Sequence, residues 1–175
     1  MVRLCFDYGH GGKDSGAIYN CRKESIDNLS IGMEVAERIR MFGVEVDETR
    51  TTDEIMGLKE RVLFANSGKY DYFISFHRNA FKPEEGSGVE TFFYLNGSEK
   101  ARKLAKRIQD DLVACGFKNR GVKAADFYVL RETKMPAVLV EIGFIDNTLD
   151  NTLFDNKRRE IIHGISRAII LEVMK

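Results

Sequence analysis

Val2, Leu4, Phe6 and Tyr8 alternate with more polar neighbours, the period of a half-buried strand, and the glycines that follow close it. Over residues 24–42 the apolar positions Ile26, Leu29, Met33, Ala36 and Ile39 recur at three- and four-residue steps, which predicts a helix ended by Gly43. A strand at 44–46 and a helix at about 58–67 follow. The aromatic and β-branched run 70–76 predicts a buried strand, and 77–87 reads as a loop. Next come a strand at 89–95 and an amphipathic helix at 98–114 with Ala101, Leu104, Ala105, Ile108 and Leu112 on one side. A short strand at 127–130, a fully buried strand at 137–142 and a helix at 157–174 complete the pattern. Strands alternating with helices predict an α/β domain whose sheet, largely parallel or mixed, is covered by helices on both faces.

No linker, repeat or low-complexity stretch interrupts the 175 residues, so one domain over 1–175 is expected, long enough for a single substantial core. With 27 basic and 27 acidic side chains the net charge is zero, which gives no general field for nucleic acid or an anionic membrane surface. The basic cluster at 157–159 lacks the aromatic interleaving that nucleic-acid binding favours. Cys5, Cys21 and Cys115 show neither disulfide-framework nor zinc-site spacing, consistent with a reducing compartment. The amino terminus has no charged leader followed by an apolar stretch and cleavage site, so synthesis in the cytoplasm without a signal peptide is expected. Apolar runs such as 137–140 fall short of the ~20 residues that span a bilayer.

In open α/β sheets ligands gather beyond the carboxyl ends of the strands. Two of the three histidines fall there: His10 within Gly9-His10-Gly11-Gly12, and His77 within Ser75-Phe76-His77-Arg78-Asn79-Ala80. A phosphate-binding reading of the glycines fails on spacing, because Asp14 stands where the dinucleotide pattern wants glycine and Lys13 is not followed by Ser or Thr. Small residues beside a histidine do suit a metal ion, and a catalytic zinc usually takes three protein ligands. A carboxylate would be the third. Glu24, at the start of the first helix, is a candidate, although a helix-capping or solvated acid is the commoner meaning of that position. Glu141 interrupts the most apolar strand, and burying a lone carboxylate costs several kcal/mol or raises its pKa, which suits a general base or acid. His163, inside the last helix, reads as a surface residue or one that supports site residues without itself touching a metal or substrate.

The sequence resembles the zinc-dependent N-acetylmuramoyl-L-alanine amidases (amidase type 3) of bacterial autolysins and phage endolysins. The resemblance runs through 7–17, 49–53, Arg61 with Ala65-Asn66, 75–80, 88–92, 119–123 and 135–147. It implies a twisted sheet of about six strands, with His10, Glu24 and His77 as ligands of Zn2+ and Glu141 as the catalytic glutamate. Tyr8, Ser15, Phe76 and Arg78 depart from the usual residues of the family pattern, but no implied ligand is lost. The implied partner is peptidoglycan, cut at the amide between the lactyl group of N-acetylmuramic acid and L-alanine, after release or export to the wall. The ligand set alone leaves a zinc carboxypeptidase or endopeptidase on the stem peptide open, and a non-catalytic peptidoglycan-binding module is the third possibility. Asn79 and Arg78 are candidate substrate contacts by adjacency to His77.

Overall fold

The computed structural model describes residues 2–174. In chain order its elements begin with β1 (Arg3–Tyr8), the short paired strands β2 (Ile18–Tyr19) and β3 (Arg22–Lys23), α1 (Glu24–Arg40), β4 (Glu45–Glu48), α2 (Leu58–Ser67) and β5 (Tyr72–Asn79). They continue with β6 (Val89–Tyr94), α3 (Glu99–Ala114), β7 (Asn119–Ala125), α4 (Tyr128–Glu132), β8 (Ala137–Phe144), α5 (Thr148–Asn156) and α6 (Arg158–Val173). Six strands form one sheet in the order β4-β1-β5-β8-β6-β7. The first four are mutually parallel, β6 is antiparallel to β8, and β7 is parallel to β6. This is the mixed, largely parallel sheet of an α/β domain.

Because strand side chains alternate between faces, each strand feeds two cores. Leu4, Phe6, Tyr8, Ile74, Phe76, Val138 and Val140 pack with Ile31 and Val35 of α1, Leu104 and Ile108 of α3, and Ile165 and Ile169 of α6. On the opposite face Cys5, Phe73, Ala137 and Leu139 meet Val62 and Ala65 of α2 and Val129 and Leu130 of α4. Each fully buried aliphatic or aromatic side chain contributes about 1.5–3 kcal/mol. The larger, three-helix face therefore supplies most of the hydrophobic stabilisation.

Several elements differ from the sequence expectation. The strand expected at 70–76 runs on through Asn79, so His77 lies in β5 and not in a loop. The strand expected at 127–130 is the short helix α4, since a four-residue apolar run carries no period that separates strand from helix. β7 and α5 were not expected: β7 alternates only weakly, while α5 is announced by Asn147, whose side chain accepts from the Asp150 N–H at its start. On α1 the buried stripe is Ile31, Gly32, Val35, Ala36 and Ile39, and Ile26 is 44% exposed. Tyr8 packs against Gly32 within that stripe.

Parallel β1, β5 and β8 bring their carboxyl ends to one edge. Tyr8 pairs with Phe76, and His77 pairs with Glu141. Beyond that pair the register slips, so that Asn79 faces Phe144, and Gly143 (φ 73°) takes up the extra residue of β8.

A Cβ on Gly32 would lie 2.1 Å from Cε1 of Tyr8, a rigid and buried ring. Gly32→Ala is therefore expected to destabilise by about 1–3 kcal/mol, read as a fall of several degrees in the thermal midpoint. An unchanged midpoint would show that α1 can shift away from β1.

Candidate active site

His10 sits just after β1 with φ 64°, a left-handed backbone that costs a non-glycine residue about 1–3 kcal/mol. Two buried guanidinium groups hold it there by collecting the carbonyls of the turn. Arg50 donates to the Tyr8 carbonyl (2.8 Å), the Gly9 carbonyl (3.1 Å) and the Ser25 carbonyl (2.7 Å). Arg61 donates to the Tyr8 carbonyl (2.7 Å) and the His10 carbonyl (2.8 Å). Arg61 is itself neutralised by Asp7 at 2.6 Å, and Asp7 also accepts from Ser75 (2.6 Å) and Thr49 (2.9 Å). Burial alone would raise the Asp7 pKa, but the charge of Arg61 and the Ser75 hydroxyl hold it below the usual value.

Glu24, the first residue of α1, is only 5% exposed, which rules out a solvated charge. It does not cap the helix either: its own N–H and that of Ser25 donate to the carbonyls of Ala17 and Ser15. Its carboxylate instead accepts from the backbone N–H groups of Ala17 (3.0 Å) and Arg78 (3.2 Å) and from Asn28 Nδ2 (3.3 Å). The same two oxygens face both imidazoles, with Oε2 3.2 Å from His10 Nε2 and Oε1 2.9 Å from His77 Nδ1. The far nitrogen of His10, Nδ1, lies 3.0 Å from Asp14, which leaves Nε2 for the centre of the cluster.

One ligand atom from each of His10, Glu24 and His77 lies within 4.8 Å of the others, so the three could hold a metal ion. Tetrahedral ligands at normal zinc bond lengths stand roughly 3.3 Å apart, so the donor set and its spacing fit with little movement. Although burial opposes it, the contact with Glu24 raises both imidazole pKa values, His10 to about 9, and holds Glu24 low despite its own burial.

Glu141 stands beside His77 on the same face of the sheet, and on its other side β6 places Glu90. Burial, together with the neighbouring carboxylates of Glu24 and Glu90, pushes its pKa up to about 7, against the opposing charge of His77. Its Oε2 is buried without a hydrogen-bond partner among the described residues. It lines a cavity of about 500 Å³ with His10, His77, Arg61 and the apolar Met56, Phe127 and Leu139.

A family model described as N-acetylmuramoyl-L-alanine amidase matches residues 4–170. The chain belongs to that family of enzymes. An endolysin of Bacillus phage SPP1 is 42% identical over 172 residues, covering 93% of this chain and 63% of its own length. The N-acetylmuramoyl-L-alanine amidase CwlM of Bacillus licheniformis is 37% identical, covering 98% of this chain and 70% of its own, so both relatives are longer. The catalytic domain of CwlV, an N-acetylmuramoyl-L-alanine amidase from Bacillus (Paenibacillus) polymyxa, superposes with a TM-score of 0.91 at 31% identity, covering 99% of each chain.

Within this amidase-family chain, four of the residues singled out from sequence converge: His10, Glu24, His77 and Glu141. Arg78 does not join them. Strand alternation turns it to the opposite face, where it is 2% exposed, pairs with Asp27 (2.6 Å), donates to Asn151 (2.7 Å) and stacks on Phe154. It does not reach the cavity, contrary to what its adjacency to His77 suggests. Asn79 stays on the site face and donates to Glu90. His163 is exposed on α6, 2.8 Å from Arg38. Sequence reading gave no role to Asn28, Arg50, Arg61 or Asp14, although Asn28 stands one helical turn after Glu24 and was findable on that spacing.

A Cβ on Gly9 would lie 2.2 Å from Cε1 of His77, so Gly9→Ala is expected to displace that ring and weaken metal binding by at least about tenfold while circular dichroism is unchanged. Unaltered affinity by competition with a chelating dye would show that His77 is not a ligand. A second expectation concerns acid. Since the Asp7 pKa is lowered on folding, the stability it contributes is present above the unfolded pKa of about 3.9 and is lost as pH falls through the folded value. Urea midpoints measured from pH 6 downwards should fall in that range, and less steeply in Asp7→Asn, whose lower starting stability reflects the charge left alone on Arg61.

Proposed function

We propose that this domain hydrolyses the amide joining the lactyl group of N-acetylmuramic acid to L-alanine in peptidoglycan, using zinc held by His10, Glu24 and His77. The observation that carries the reading is the buried carboxyl of Glu141, unpartnered at Oε2, facing the cavity beside the His-Glu-His cluster in a chain of the amidase family. Two histidines and one carboxylate form a set that leaves a coordination position open, as catalytic zinc sites do. When bound there, zinc lowers the pKa of a water and polarises the carbonyl of the amide.

The chain's own residues do the rest. Glu141, with a pKa raised by burial towards neutrality, takes a proton from the attacking water and returns it to the leaving L-alanine nitrogen. A carboxyl near its pKa at working pH serves equally as base and then acid. Asp14 fixes the ring of His10, and Asn28 with the two backbone N–H groups fixes Glu24, so the ligands need little reorganisation. The apolar wall of Met56, Phe127 and Leu139 keeps bulk water from the amide.

Glu141→Gln keeps the shape of the residue and removes its base, so turnover on purified wall is expected to fall by about a hundredfold or more with metal content unchanged. Full activity in that variant would overturn the mechanism. Chelation should abolish lysis and added zinc restore it. Mass spectrometry of the digest separates the bonds: new free amino termini at L-alanine support the amidase, whereas shortened peptides still joined to glycan point to a carboxypeptidase or endopeptidase. A binding module would leave the wall uncut.

A further inference from the structure

The two sides of Glu141 differ in charge. Towards α2 and α4 the cavity is walled by Ile55, Met56, Leu58 and Phe127. Towards β6 and β7 lies a separate groove of about 280 Å³ whose lining includes Asn79, Phe81, Glu90, Arg120 and Phe144. At the base of this groove Glu90 is 4% exposed and is the direct neighbour of Glu141 across the β6–β8 pair.

Two cations converge on that single carboxylate. Arg120 Nε is 3.3 Å from Glu90 Oε2, and Lys123 Nζ pairs with the same oxygen. One positive charge is therefore left in excess. The other acid of the groove, Glu85, already has Lys82 at 3.7 Å. Neither cation is sunk in the fold: the side chains of Arg120 and Lys123 are 32% and 43% exposed. Arg120 lies over the Phe144 ring at 4.8 Å and meets Glu90 through Nε, with its terminal nitrogens unpaired among the described residues. Such a fork is suited to a carboxylate. Both residues come from the stretch 119–123, and they meet Glu141 only through Glu90.

The substrate of the proposed reaction has a matching asymmetry. The lactyl carboxyl of N-acetylmuramic acid is consumed in the amide and its amine is acetylated, so the glycan side is uncharged there. Where the residue that follows L-alanine is an unamidated glutamate, the peptide side carries a free carboxylate close to the scissile bond. We propose that Arg120 and Lys123 form a subsite for that carboxylate, which lays the peptide over β6 and β7 and the glycan along the apolar wall of α2 and α4. This orientation rests on the amidase reading, while the carboxylate site itself can be tested apart from catalysis.

The test is a titration of the zinc-loaded protein with L-alanyl-D-glutamate and with its α-amide, followed by backbone NMR shifts and by calorimetry. The acid is expected to bind about tenfold more tightly than the amide, with shifts concentrated on β6 and β7, and the preference should shrink as salt is raised. Arg120→Gln and Lys123→Gln are each expected to lose most of the preference, and each keeps one cation on Glu90, so an unchanged thermal midpoint will verify folding. Equal binding of the two dipeptides, no binding of either at millimolar concentration, shifts confined to α2 and α4, or a preference that survives in both variants would overturn the subsite. The last result would mean that the two cations serve Glu90 alone. If the dipeptide preference holds but wall digests contain no free L-alanine amino termini, the amidase reading fails and the carboxylate site stands. The reverse outcome removes only the subsite.

Discussion

A buried carboxylate must find compensation, and the placing of Glu24 decides the geometry of everything around it. The loop after β1 supplies the Ala17 N–H, β5 supplies the Arg78 N–H, and α1 itself supplies Asn28. Three separate parts of the chain therefore meet at one pair of oxygens. Their dipoles soften the negative charge but do not cancel it, and what remains draws in the two imidazoles. The cluster could hold a cation because the fold has built an anion there and no arginine or lysine side chain among the described residues pairs with it.

The same logic runs in the opposite sense a few ångströms away. Arg50 and Arg61 are buried cations, and the compensation they find is mostly a set of backbone carbonyls from the turn that carries His10. Breaking such a network leaves a charge behind, which costs about 3–5 kcal/mol. That penalty is what keeps a histidine in a left-handed conformation that an unsupported loop would abandon. The glycines on either side serve close approach: a Cβ on Gly9 would strike His77, and one on Gly11 would strike the Glu54 carbonyl.

The parts of this arrangement that were legible in sequence are those with a periodic or anomalous signal. Helices α1, α3 and α6 and strand β1 announced themselves by apolar spacing, β5 by its aromatic and β-branched run, β8 by its unbroken apolar run, and Glu141 by standing alone in that strand. β7 and α4 were not legible, because an edge strand with little to bury and a single helical turn both lack a period. Arg78 was misread for a related reason. Adjacency to His77 suggested the site, but His77 was placed in a loop, and only in a strand does the next residue point to the other face. Glu24 stayed ambiguous because no local signal distinguishes an acid that caps a helix from one that folds back into the molecule.

Glu141 lies between His77 of β5, which contacts Glu24, and Glu90 of β6, so two further carboxylates stand near it. Left uncompensated, two carboxylates beside a third buried one would favour keeping a proton on it, and a permanently protonated acid is no base. The two outer acids are compensated by different means: Glu24 by the imidazoles of His10 and His77, Glu90 by Arg120 and Lys123. Glu141 alone has no fixed partner at Oε2. Burial, with the remaining influence of these two acids, brings the Glu141 carboxyl to about 7, which suits the proposed taking up and giving back of a proton in one reaction cycle.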